Sequence, residues 1–408
     1  MTEAYRPQDL MWLWWLGDAV PRRVGSISLT AGHRKVALTY DAQWIEQGFA
    51  LSEDLPLAGG LWVPKENDSA AGALEDARPD RWGERVIRHI RRPSRLSLLE
   101  FLYFAGDDRF GGLGVSLKPE AYAPCALGAI ASLASLHDMQ KAIAKIIAGE
   151  KLDESLTRLV RPGPTFGGAR PKSLMQDGAQ QWIVKFPEDE ELDVGLIEHA
   201  TMTLGARCGV APAATMALPL SKWHAVAVAR FDRPGGMRLH ALTAYTALRA
   251  AGMEDGYPEL AQLLRRIGHP DQFRQDQALL FRRMVFNMLV DNTDDNHKNH
   301  TLIRGPDGYH RLSPAYDVLP SAQGLGYQQM RVGREGAAST LSNALTEAGA
   351  FGLKPDQAVA VVTEVCRCVA DWKPHFAQTG VSARDLDVLS QYLDGPALAD
   401  QRREFAGR

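Results

Sequence analysis

Phe286-Asn287-Met288-Leu289-Val290-Asp291-Asn292-Thr293-Asp294-Asp295-Asn296-His297-Lys298-Asn299-His300 reads as an apolar helix running into a polar loop. Phe281, Val285, Met288 and Leu289 fall at the spacing of one buried helical face. Beyond them, residues 291–300 hold three acids, three asparagines and two histidines. A solvated loop can be this polar, but such density directly after a buried helix is what a site on a rigid scaffold requires. Further on, Ala315-Tyr316-Asp317-Val318-Leu319 brackets one acid with apolar neighbours. Asn299 and Asp317 are hard oxygen donors of the kind Mg²⁺ takes, since that ion keeps several waters and needs few protein ligands besides phosphate oxygens.

Upstream, Trp182-Ile183-Val184-Lys185-Phe186 reads as an apolar strand carrying a lysine. Either Lys185 snorkels from a strand edge or it is partly buried, and a buried lysine needs a carboxylate or phosphate. Glu198, in the helix expected over about 194–208, is the candidate partner. Before the strand stands Thr165-Phe166-Gly167-Gly168-Ala169-Arg170-Pro171-Lys172-Ser173. Adjacent glycines let backbone N–H groups approach an anion, and Arg170 and Lys172 add positive charge. The same residues also suit a tight turn, and the spacing is not that of a Walker A loop.

The whole chain bounds these readings. It has 408 residues, 45% of them hydrophobic, which suffices for two or three domains with proper cores. Forty-six Lys+Arg against 49 Asp+Glu give a net charge of −3, so no overall field draws it to nucleic acid or to an anionic membrane. Four cysteines (Cys125, Cys208, Cys366, Cys368) make no disulfide framework and no zinc set, and are read as buried thiols of a reducing compartment. The longest strongly apolar run, Leu10 to Leu16, is too short to span a membrane. A cytoplasmic protein is expected.

Short strands are expected at 10–16, 24–30 and 35–40, forming a small β-rich meander. Helical spacing over Arg78–Arg95 aligns Arg81, Arg85, Arg88, Arg92 and Arg95, either as a solvated face or as a partner surface, with Pro93 ending the helix early. Helical patterns at 127–160 precede the Pro/Gly-rich break at 161–171. Strands are expected near 212–217 and 224–230, and a mostly helical remainder from 243 to 395 is interrupted by irregular chain over 291–330.

A glycine loop, a strand lysine with a helix glutamate, a loop Asp with an Asn five residues on, and a second Asp are together the parts of kinase-like phosphoryl transfer. The HRD and DFG wordings are absent. The chain resembles the HipA-type serine/threonine kinases, the toxins of bacterial toxin–antitoxin pairs. Val24-Gly25-Ser26-Ile27, Pro79-Asp80-Arg81-Trp82-Gly83 and Ala105-Gly106-Asp107-Asp108-Arg109-Phe110-Gly111-Gly112-Leu113 resemble that family's N-terminal signatures. Gly167 to Lys172, the Lys185 strand, Arg230-Phe231-Asp232-Arg233, Asn292 to Asp295 with Lys298-Asn299, and Ala315-Tyr316-Asp317 follow in the family's order.

The resemblance implies an α+β fold with a kinase-like core: a β-rich N-terminal domain (1–120), linker helices with a nucleotide-binding part (121–240), and a helical catalytic part (241–408). It implies ATP and Mg²⁺ as cofactors, with Asp294 as catalytic base, Asn299 and Asp317 as metal ligands, and Glu198 as partner of Lys185. Nucleotide contacts fall to Gly167, Gly168, Ala169, Arg170, Lys172, Lys185, Ala229, Phe231, Lys298 and Tyr316. Thr165 stands where the family can autophosphorylate a serine. A protein substrate, such as an aminoacyl-tRNA synthetase or another translation component, and a small helix-turn-helix antitoxin are implied, with DNA reached only indirectly or through that partner. The chain departs from the family in carrying His297 one position late, Ala229 in place of a frequent Glu, and Thr165 in place of Ser.

Two other readings use the same residues. A metal-dependent hydrolase could be built on Asp291, Asp294, Asp295, His297 and His300. A catalytically silent kinase fold could serve as co-repressor with a DNA-binding partner.

Overall fold

In the computed structural model, residues 5–162 and 170–407 are described. The chain forms two compact units, one of residues 1–184 with 232–242, the other of residues 185–231 with 243–408.

In the first unit the expected meander is present as Leu10–Trp15, Arg22–Thr30 and Lys35–Tyr40. It lies in a five-stranded sheet of order 69–70, 35–40, 22–30, 10–15, 113–116. The apolar residues of these strands place Met11, Leu13, Val24, Ile27, Val36 and Leu38 in the core. Gly25 sits where a Cβ would lie 2.0 Å from the Thr39 carbonyl, so the approach of these two strands demands glycine. The edge strand Leu113–Ser116 was not foreseen; Trp14 Nε1 donates to its Ser116 Oγ at 2.8 Å.

The arginine-rich helix covers Arg81–Ile90, capped by Asp80, and ends before Pro93 as expected. Its stripe is a solvated face: Arg81, Arg85, Arg88 and Arg92 are exposed, with Arg85 donating to the Ile147 carbonyl (2.7 Å) and Arg88 meeting Glu84 (2.9 Å), while Arg95, beyond the helix, meets Glu100 (3.0 Å). Helices Leu136–Ala148 and Glu154–Leu159 follow, then the strands Lys172–Asp177 and Gln180–Lys185. The signature around Asp107 is structural. Arg109, fully buried, donates to the Gly106 carbonyl, Asp107 pairs with Arg238 (3.1 Å), and Asp232 accepts from the Gly111 N–H (3.0 Å).

The second unit holds the helix Val194–Arg207, the antiparallel pair Thr215–Pro219 and His224–Ala229, and helices from Ala244 to Ala406. The irregular stretch over 291–330 contains a hairpin, Thr301–Arg304 with His310–Leu312, that the polar sequence concealed. The core helix Phe273–Leu289 buries Leu280, Phe281, Met284, Val285, Phe286 and Leu289, as the spacing required. Among the described residues no helix is long and apolar enough to cross a membrane.

One expectation is corrected. Cys208 and Cys368, 160 residues apart, form a disulfide, with Cα atoms 5.6 Å apart. Cys208 closes the helix Val194–Arg207, and Cys368 lies in the last turn of Pro355–Val369. Only Cys125 and Cys366 are free and buried.

Candidate active site

Strand Gln180–Lys185 ends on Lys185, and Asp193 caps the next helix by accepting from the Leu196 N–H (3.3 Å). That cap sets the helix so that Glu198 faces inward, fully buried. Lys185 Nζ donates to Glu198 Oε1 at 2.7 Å and also to Asp317 Oδ1. Burial works against the ammonium, but the carboxylates of Asp317 and Glu198 outweigh it and raise the Lys185 pKa. The snorkelling alternative therefore gives way to a lysine shared by two carboxylates.

The core helix ends at Leu289, and the chain turns through Asp291 in a left-handed conformation (φ +54°). The two neighbouring aspartates that follow have opposite surroundings. Asp295 is 1% exposed, and its Oδ2 accepts from Asn287 Nδ2 (2.7 Å) and from the Tyr257 hydroxyl. His300 Nε2 lies 2.8 Å from the same oxygen and must donate, because a carboxylate only accepts. Asp294 is exposed, and its carboxylate makes no hydrogen bond among the described residues. Partial burial, with the charges of Asp317 and Asp295, raises its pKa above the ordinary value. An available carboxylate made more basic is suited to accept a proton.

Asn299 is 5% exposed, and its side-chain amide likewise makes no hydrogen bond among the described residues. Tyr316 donates its hydroxyl to the Lys298 carbonyl at 2.7 Å, bringing the residue before Asp317 against the residue before Asn299. The Phe231 and Tyr316 rings pack with centroids 5.3 Å apart, and Ala229 N–H donates to the Ala214 carbonyl at 2.9 Å. Lys298 extends its ammonium over the Tyr245 ring, 5.0 Å from the centroid. An available amide oxygen and a carboxylate fit a magnesium ion that completes its shell with water and phosphate.

The remaining sequence candidates are Lys172, Arg170 and residues 165–169. Lys172 is in the first unit, 2% exposed, with Nζ 2.6 Å from Asp80 Oδ2. Asp80 also caps the arginine-rich helix, so one carboxylate serves both elements. Arg170 is half-buried just before the same strand. Thr165, Gly167, Gly168 and Ala169 lie outside the described residues.

The hydrolase constellation is not assembled. Asp291 accepts from the Gln323 and Gly324 N–H groups (3.3 and 3.2 Å), His297 meets Asp255 (3.1 Å), and His300 serves Asp295. Among the described residues no three His, Cys, Asp or Glu side chains converge on a metal position. Sequence reasoning missed Tyr257 and Ser321, whose hydroxyls hold the loop. Neither sits in a motif, and a lone hydroxyl carries no signal of where it points.

With this geometry in view, comparison with known proteins defines the class. The HipA-like C-terminal domain model matches residues 165–372, and the HipA N-terminal domain model matches residues 15–116. The chain belongs to the HipA-like family. Its fold is that of HipA from Shewanella oneidensis MR-1, solved as a toxin–antitoxin complex with HipB and operator DNA. That structure aligns over 97% of each chain at 19% identity, with a TM-score of 0.67. The proinflammatory kinase CtkA of Helicobacter pylori aligns over 60% of this chain and 96% of its own, at 13% identity and a TM-score of 0.45. No curated protein matches the sequence.

Proposed function

We propose that this chain is an ATP- and Mg²⁺-dependent serine/threonine protein kinase of the HipA type. The observation that carries the reading is Lys185, buried and held between Glu198 and Asp317 in the unit that also exposes Asp294. A lysine fixed by a helix carboxylate is pre-oriented to hold nucleotide phosphates, and a free aspartate of raised pKa is the group that takes a hydroxyl proton.

In the proposed reaction the oxygen of a serine or threonine attacks the γ-phosphorus of ATP. Its proton passes to Asp294, and ADP leaves with the electrons of the broken bond. Asn299 and Asp317 would hold Mg²⁺, which supplies neutralising charge to the phosphates when bound. Without a ligand, Asp317 is paired with Lys185, which it shares with Glu198. Phe231 and Tyr316 offer a packed aromatic edge and Ala229 a backbone for the base. Lys298, in the same unit, completes the proposed nucleotide set.

The likeness to a HipA solved with HipB and operator DNA supports a helix-turn-helix antitoxin partner, through which DNA would be met. A cytoplasmic translation component is the proposed substrate class.

The test is transfer of labelled phosphate to proteins of a cell extract by wild type and Asp294→Asn. Labelling by wild type, lower by at least 1,000-fold in the variant, is expected. Because ionised Asp294 is disfavoured in the fold, the variant should melt no lower than wild type at pH 7. Equal labelling would refute the base assignment.

A further inference from the structure

The loop carrying Asp294 and the segment following Asp317 are joined by hydrogen bonds that the proposed chemistry does not use. Ser321 Oγ accepts from the backbone N–H groups of Thr293 (2.9 Å) and Asp294 (3.1 Å). The Ser321 N–H donates to the Asp291 carbonyl at 2.9 Å. Asp291, 5% exposed, turns its carboxylate back onto the Gln323 and Gly324 N–H groups (3.3 and 3.2 Å).

Backbone strain gathers at the same join. Asp291, Asp317 and Ala322 have φ of +54°, +58° and +50°. Aspartate tolerates this left-handed region, alanine does so poorly, and such conformations persist only where the surroundings over-determine them. The hydrogen bonds of Ser321 and Asp291 over-determine Asp291 and Ala322, and Lys185 holds Asp317. A catalytic base must also leave its carboxylate unengaged, so the position of Asp294 has to be set through its main chain. Its N–H rests on Ser321 Oγ, and its carbonyl accepts from Asn296 Nδ2 at 3.0 Å.

We propose that Ser321 is a positioning residue for phosphoryl transfer. Its hydroxyl ties the Asp294 loop to the Asp317 segment, so that base and metal ligand keep a fixed separation. The inference rests on the kinase reading. Removing the hydroxyl leaves the Asp294 N–H without its acceptor, while the Thr293 N–H keeps the Asp291 carbonyl at 3.0 Å; the loop can then drift at Asp294, and misplacement on the order of 1 Å costs about 100-fold in rate.

The test compares wild type, Ser321→Ala and Ser321→Thr, the last retaining a hydroxyl. In Ser321→Ala the Asp294 amide should exchange with solvent at least tenfold faster, with the Thr293 amide, still held by the Asp291 carbonyl, changing less. Its kcat should fall about 10- to 100-fold, while KM for ATP stays within twofold and the melting temperature is held. Ser321→Thr should recover most of the protection and rate. Unchanged amide exchange in Ser321→Ala, or a rate loss that only follows a falling melting temperature, overturns the proposal. Amide protection that depends on Ser321 in a wild type that transfers no phosphate overturns the kinase reading and, with it, the positioning role.

Discussion

The Lys185–Glu198 pair can be tested without any assumption about catalysis. Nζ and Oε1 are 2.7 Å apart, with side chains 6% and 0% exposed. At an effective dielectric of about 20 their Coulomb attraction is about 6 kcal/mol, most of which is consumed by taking both charges out of water. A coupling of about 2 kcal/mol should remain. Lys185→Met strands the carboxylates of Glu198 and Asp317 and should cost about 3–5 kcal/mol. Glu198→Gln keeps an acceptor and leaves Asp317 on the ammonium, so about 1–3 kcal/mol is expected. The Lys185 pKa is raised above 10.5, so its contribution is complete at pH 7 and is lost only as pH rises through the raised value. Urea unfolding of both single variants and the double, followed by the helical circular dichroism signal, gives the cycle. A coupling below about 0.5 kcal/mol would refute the claim that the buried pair is cohesive.

Two further outcomes follow from the same unit. Cys208→Ser, or a dithiol reductant on wild type, should lower stability by about 2–4 kcal/mol, because the bond closes a loop of 160 residues; a midpoint that does not move in urea would remove the bond from the structure's account. His310 is held to a pKa of about 4 by burial and by Arg304, against 6.5 when unfolded, so between those values the unfolded chain takes up a proton that the fold refuses. Stability should therefore fall by about 2 kcal/mol between pH 7 and pH 5 from this group, and His310→Gln should remove that share of the pH dependence measured by urea midpoints.

Much of this was legible in the sequence because it was local. An aromatic run marked Leu10–Trp15, partial alternation marked Lys35–Tyr40, helical spacing marked Phe273–Leu289, and Pro93 stopped the arginine-rich helix. Lys185 and Glu198 were matched because strand and following helix are neighbours in the chain. What stayed hidden depends on contacts that no local period encodes. Asp80 meets Lys172 across 92 residues, and Asp317 meets Lys185 across 132. Cys208 and Cys368 looked like ordinary thiols because nothing in either helix's pattern says which turn packs on which. The arginine stripe was legible as a solvated face, but the hold of the Ile147 carbonyl on Arg85 was not, because that partner contributes only backbone.

Asp294 and Asp295 are the same residue twice, and nothing in their atoms distinguishes a proton acceptor from an anchor. The difference is a matter of register. Tyr257, Asn287 and His300 grip one carboxylate, and whichever aspartate they hold leaves the other outside. A slip of the loop by one residue would exchange the two parts while leaving composition, charge and motif unchanged. The grip works as an index mark, and weakening it should yield a mixture of two loop registers before it yields an unfolded chain.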